Sequence, residues 1–138
     1  LLDGVTNRSM AASRLMIEDY AGVTVVTLQD SSVLDMGIID QIGKDLCHLI
    51  ENQNKQKLVL DFINVRFLAS HALGILLMVH KKVRAAKGTM VLCGVRKDLK
   101  KVFTITSLDK IFKFFPDDTA ALAHFKVTVQ YSQGPTGG

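Results

Sequence analysis

Ser70 and His71 are the residues of this chain whose types and surroundings come nearest to chemistry. An apolar run, Leu58-Val59-Leu60, ends in Asp61, a second short one ends at Leu68, and Ala69-Ser70-His71 then opens a segment of helical character. The first amides of a helix have no intrahelical acceptors and carry the positive end of its dipole. A hydroxyl placed there sits where added negative charge is stabilised. Such a serine can cap the helix, accept a phosphate or act as a nucleophile. The last role needs a base within reach, and successive helical residues project about 100° apart, which turns His71 away from Ser70.

Other chemistries lack their signatures. No G-x-S-x-G elbow, P-loop, G-x-G-x-x-G or H-E-x-x-H occurs. His48, His71, His80 and His124 share no metal-binding spacing, and Asp30, Asp35 and Asp40 are accounted for by cap and surface roles. Cys47 and Cys93 lie in apolar patterns on different expected elements, with no CxxC between them, which points to buried, reduced thiols. The expectation is a protein without catalytic activity, cofactor or metal.

The elements that must position Ser70 follow from periodicity. Arg14 to Tyr20 and Val23 to Leu28 read as strands joined at Ala21-Gly22, the second carrying a β-branched run. Gln29 to Leu34 reads as a loop. Asp35 is placed to cap a helix running to Asn52, with Ile38, Ile39, Ile42, Leu46, Leu49 and Ile50 at helical spacing. Lys57 to Phe62 is a continuously apolar strand of central, parallel type. Ser70, a good N-cap residue, opens a helix through Ala86 whose first half is apolar nearly all round and is expected to be buried. Gly88 is expected to cap its end, and Gly74 to permit close packing. Thr89 to Val95 is the next strand and Asp98 to Thr106 the next helix. Ile111 to Phe115 is a short strand, and Pro116-Asp117-Asp118 starts a last helix through Phe125. Alternating strand and helix imply right-handed crossovers and mainly parallel later strands.

A chain of 138 residues is expected to form one domain over residues 13–126, preceded by a flexible leader, 1–12, and followed by a flexible tail, 127–138, with a little strand at Val127 to Val129. No run approaches the ~20 apolar residues of a membrane span, and no signal core follows the N-terminus, so a cytoplasmic location is expected. The net charge of +4 is uneven: between Leu76 and Phe115, Lys81, Lys82, Arg84, Lys87, Arg96, Lys97, Lys100, Lys101, Lys110 and Lys113 face only Asp98 and Asp109. Solvated helix faces explain this with least, and an acidic protein surface is the next reading. Nucleic acid is disfavoured because no aromatic residues interleave with the charges.

At Leu58-Val59-Leu60-Asp61-Phe62 and Val65-Arg66-Phe67-Leu68-Ala69-Ser70-His71-Ala72-Leu73-Gly74 the chain resembles the STAS domain of bacterial anti-sigma factor antagonists. The family pattern is an apolar strand ending in Asp, then a second apolar stretch running into D-S-S/T-G-L-G. The similarity continues through Lys87 to Val95, Val102-Phe103, Ser107 to Phe112 and the Asp117 to Phe125 helix. The resemblance implies a STAS-like (SpoIIaa-like) α/β single domain, a mixed four- to five-stranded sheet with helices packed largely on one face.

In such antagonists the serine after the motif aspartate is phosphorylated by a partner that is both serine kinase and anti-sigma factor. The unmodified antagonist captures that partner, the phosphorylated one releases it, and a phosphatase resets the switch. Carried over by position, the phosphoacceptor is Ser70, and Asp35, Ala69, His71, Ala72, Arg96 and Lys97 are the partner-binding positions. Here Ala69 stands for the aspartate, His71 for the second Ser/Thr and Ala72 for the first glycine, while Ser32-Val33-Leu34-Asp35 keeps only Leu-Asp of a G-E-L-D segment. The alternative implied by these departures is a constitutive scaffold or ligand-sensing module without a phosphorylation switch.

Overall fold

The computed structural model describes residues 14–126; the expected leader, tail and strand at Val127 to Val129 lie outside them. The chain opens with an antiparallel hairpin, β1 (Leu15–Tyr20) and β2 (Val23–Leu28), paired from Leu15 opposite Leu28 to Tyr20 opposite Val23. Its two-residue turn places both Ala21 (φ 50) and Gly22 (φ 89) in the left-handed region, which matches the twist of the flanking strands. There follow β3 (Ser32–Val33), α1 (Met36–Asn52), β4 (Lys57–Asp61), β5 (Phe67–Leu68), α2 (Ser70–Ala85), β6 (Thr89–Cys93), α3 (Lys97–Ile105), a 3-10 turn (Leu108–Lys110), β7 (Phe114–Phe115) and α4 (Asp118–His124).

The main sheet has five strands in the order β1-β2-β4-β6-β7, parallel except for the β1–β2 hairpin; β3 and β5 form a second, two-stranded parallel sheet. Strand alternation divides the core. Val26, Leu28, Leu58, Leu60, Met90 and Leu92 point to the face covered by α1, α2 and α3, whereas Val23, Val25, Val59, Val91 and Cys93 meet Ala121 and Leu122 of α4 on the other. The expected mixed sheet with helices largely on one face is what forms, and α4 is the exception to the one-sided packing.

Several local expectations change. The residues of 29–34, read as a loop, include β3, whose partner lies 35 residues on (Ser32 opposite Phe67, Val33 opposite Leu68) and is invisible to local periodicity. Strand β6 stops at Cys93 because Gly94 turns left-handed (φ +68), and only Phe114–Phe115 of the 111–115 segment is strand. The first half of α2 is not buried all round: Ala72, Leu73, Leu76 and Val79 go inward while Gly74 and Met78 face solvent.

Ser70 is not the N-cap of α2. That position is Ala69, held extended (φ −73, ψ 152) while its N–H donates to the Val33 carbonyl at 2.9 Å, so Ser70 is itself the first helical residue. Nor does Gly88 supply the left-handed residue at the other end; Lys87 does (φ 63). Gly88 is needed for another reason, since a Cβ there would lie 2.2 Å from the Gln56 carbonyl oxygen. Gly74 faces open space, and it is Gly43 on α1 that allows close helix packing, its missing Cβ lying 2.8 Å from Ile75 Cγ2.

Gly88→Ala is therefore expected to lower stability by about 2 kcal/mol, because rigid backbone blocks the methyl group. Gly74→Ala is expected to raise it by about 0.5–1 kcal/mol through helix propensity alone. Urea unfolding midpoints of the two variants check both signs.

Candidate functional site

The small β3–β5 sheet builds the site. The Ser31 carbonyl accepts from both Arg66 N–H (2.8 Å) and Phe67 N–H (3.1 Å), and the Val33 carbonyl accepts from Ala69 N–H (2.9 Å). Val33, Phe62 and Val65 are buried beneath and anchor the pair to the core. Each short strand then leads into a helix, so the start of α1 at Asp35–Met36 and the start of α2 at Ala69–Ser70 emerge side by side.

The two helix starts differ electrostatically. Asp35 caps α1, its Oδ1 accepting from Ile38 N–H at 3.0 Å. Ala69 can offer α2 no such bond, and the first turn of α2 holds no acidic residue. Ser70 is thus an exposed hydroxyl on the first turn of a helix whose amide end is left uncompensated by a side-chain cap. His71 ties the two helices together: its Nε2 lies 2.8 Å from Asp40 Oδ1 on α1.

Asp61 holds the approach to this site. It ends β4 with its side chain buried, and Oδ1 accepts from Ile63 N–H at 3.0 Å, shaping the turn that leads toward β5. Gly94 makes room, since a Cβ there would fall 2.7 Å from that same oxygen. Burial pushes the Asp61 carboxyl above its ordinary range; the Ile63 N–H and the Cys93 thiol pull it back, while Asp118 and Asp117 repel its charge. Burial and the Asp61 charge push the Cys93 thiol upward in turn, and Cys47 is raised mainly by burial. Neither thiol is disulfide-bonded.

The residues expected to meet a partner separate into groups. Asp35, Ala69 and His71 surround Ser70 at the paired helix starts. Ala72 does not belong to the surface: it is 4% exposed and packed inward on the first turn of α2. Arg96 and Lys97 are exposed at the start of α3, after the carboxyl end of β6, the same end of the sheet but on the far side of β4.

Sequence reading missed the apolar part of this surface. Leu34, Met36 and Phe67 are 53%, 60% and 58% exposed. Leu34 and Met36 flank Asp35, and Phe67 sits opposite Ser32 in the β3–β5 register, three residues before Ser70. The available signal was weak: large apolar residues beside a cap and in a two-residue strand, where a solvent-facing side chain has no use in folding.

A five-stranded mixed sheet with helices on both faces and an exposed serine at a strand-to-helix junction defines a small α/β domain. Residues 14–121 match the STAS domain family, and the chain belongs to it. BtrV of Bordetella bronchiseptica, assigned as a candidate anti-sigma factor antagonist, is 26% identical over 116 residues, covering 84% of this chain and 97% of its own. An anti-sigma factor antagonist from Mycobacterium paratuberculosis has 25% identity and a TM-score of 0.71, over 81% of this chain and 92% of its own. The phosphorylated form of SpoIIAA, a Bacillus cell fate determinant, shares the fold with a TM-score of 0.64 at 19% identity, over 80% and 98%. No helix among the described residues is long and apolar enough to cross a membrane.

The raised Asp61 carboxyl sets a pH-dependent expectation. A carboxyl whose folded pKa exceeds its unfolded one costs stability as pH rises between the two. Asp61→Asn keeps an oxygen for Ile63 N–H and removes the charge, so it is expected to stabilise at pH 7. The gain should vanish below about pH 4, where wild type is itself protonated. Denaturation of both proteins across this pH range measures the difference.

Proposed function

We propose that this domain is a non-catalytic, cytoplasmic regulatory module that binds an anti-sigma factor of the serine-kinase type and is switched by phosphorylation of Ser70. The observation that carries the reading is the setting of Ser70: exposed, on an uncapped first helical turn, beside the exposed apolar side chains of Leu34, Met36 and Phe67. Apolar residues left outside the core at this junction supply contact area for a partner. The serine lies where the partner's catalytic groups would reach it.

A phosphate on Ser70 adds a charge of about −1.5 to −2. The bare amides of the α2 first turn accommodate it without refolding the domain. Its charge adds to those of Asp35 and Asp40 on the neighbouring α1, turning a mixed polar and apolar surface strongly acidic. A partner fitted to the unmodified surface is then released by desolvation and like-charge repulsion. A phosphatase restores the first state. Arg96 and Lys97, at the same end of the sheet, form the basic margin of the proposed contact surface.

A constitutive scaffold or ligand-sensing module is the second reading, favoured by Ala69 in place of an acidic residue and by His71 engaged with Asp40. Capture of partners from the protein's own cells with wild type and Ser70→Asp separates the two. Loss of a kinase-type partner by the aspartate variant, with phosphate found on Ser70 by mass spectrometry of the native protein, is the expected result. Identical partner sets and an unmodified Ser70 under all growth conditions would sink the switch and leave the scaffold.

A further inference from the structure

The opposite end of the sheet carries a second concentration of chemistry, which the proposed function does not use. Within β6, Thr89 and Cys93 bond toward β4: Thr89 N–H donates to the Gln56 carbonyl (2.7 Å), and the Cys93 carbonyl accepts from Phe62 N–H (2.9 Å). Alternation turns Met90, Leu92 and Gly94 toward the outer edge. Leu92 and Gly94 find acceptors there in the carbonyls of Lys113 (2.9 Å) and Phe115 (3.1 Å). Strand β7 pairs only with Leu92 and Cys93, so the N–H of Met90 faces outward beyond its end, with no strand to receive it.

A cavity of about 140 Å³ lies over this edge, and four cationic or imidazole side chains line it: His80 and Arg84 from α2, Lys113 from the segment before β7, and His124 from α4. No acidic residue lines it. The two rings are fixed by aromatic neighbours, His80 edge-on to Phe112 (5.2 Å between centroids) and His124 against Phe115 (5.1 Å). Burial and the nearby Arg84 hold the His80 imidazole below its ordinary range, so at neutral pH it offers a neutral N–H donor.

Three different elements thus converge positive charge and donors on an unpaired backbone amide, with no carboxylate to satisfy them. We propose that this edge pocket is a binding site for a dianionic tetrahedral oxyanion of the phosphate class, held by Arg84 and Lys113 and oriented by the Met90 amide and the two imidazoles. Two permanent cations match a dianion better than a single carboxylate, and planar and ammonium donors together suit a tetrahedral acceptor. The site is separate from Ser70: Met90 lies near the start of β6, whereas Ser70 follows strands at the carboxyl end of the sheet. Helix α2 carries residues of both.

Amide and imidazole NMR spectra of the whole chain, titrated with inorganic phosphate against chloride at equal ionic strength, test the assignment. Saturable shifts at the Met90 and Val91 amides and at the His80 and His124 rings are expected. The Arg84→Ala/Lys113→Ala double variant, altered only at exposed side chains, should bind roughly fivefold more weakly or worse while the rest of its spectrum is unchanged. A parallel titration with glycerol 3-phosphate decides the source: tighter binding of the ester assigns a phosphoryl group on a larger molecule, tighter binding of inorganic phosphate the free anion. Shifts that do not saturate, that chloride reproduces, or that persist undiminished in the double variant overturn the proposal.

Discussion

The parallel pairing of Ser32–Val33 with Phe67–Leu68 is the interaction on which the arrangement around Ser70 depends. Two residues per strand supply little hydrogen bonding of their own. The pairing persists because Val33, Phe62 and Val65 beneath it are buried in the main core, and because the Ser31 and Val33 carbonyls satisfy amides that would otherwise be left open. Through it, two helices widely separated in sequence begin next to each other. Its last bond, from Ala69 N–H to Val33, holds Ala69 extended and so decides that Ser70 is the first helical residue rather than the cap.

That one-residue difference changes what the serine can do. An N-cap serine spends its oxygen on the amides of its own helix. On the first turn, with an alanine before it, the serine is exposed and the Ser70 and His71 amides remain available to an incoming anion. Neighbouring α1 is the converse case, its start already neutralised by Asp35. The site therefore couples one closed helix terminus to one open terminus, with His71 and Asp40 bridging them. Ala69 and His71, which depart from the family pattern, act here as an uncapped start and an interhelical link. They change the chemistry around the serine without disturbing the fold that presents it.

Asp61 shows how the core and the rim share responsibility. Its carboxyl is costly to bury, and it stays because it supports the turn after β4 through Ile63, in space that Gly94 leaves open. Position and cost are inseparable: the oxygen that shapes the approach to Ser70 is the one whose charge the interior resists.

The sequence by itself determined the long elements, their order and the sheet's parallel character. Apolar spacing over α1 and the β-branched or continuously apolar runs of β2 and β4 reflect burial requirements local to each segment. The STAS resemblance and the Asp35 cap were legible for the same reason, since motif and cap are written in adjacent residues. Only tertiary structure decided the β3–β5 pair, the withdrawal of Ala72 into the core, the exposure of Leu34, Met36 and Phe67, and the choice of Gly43 over Gly74 for close packing. Each of these depends on which distant residue arrives opposite, and side-chain periodicity within one segment carries no record of what meets it from another.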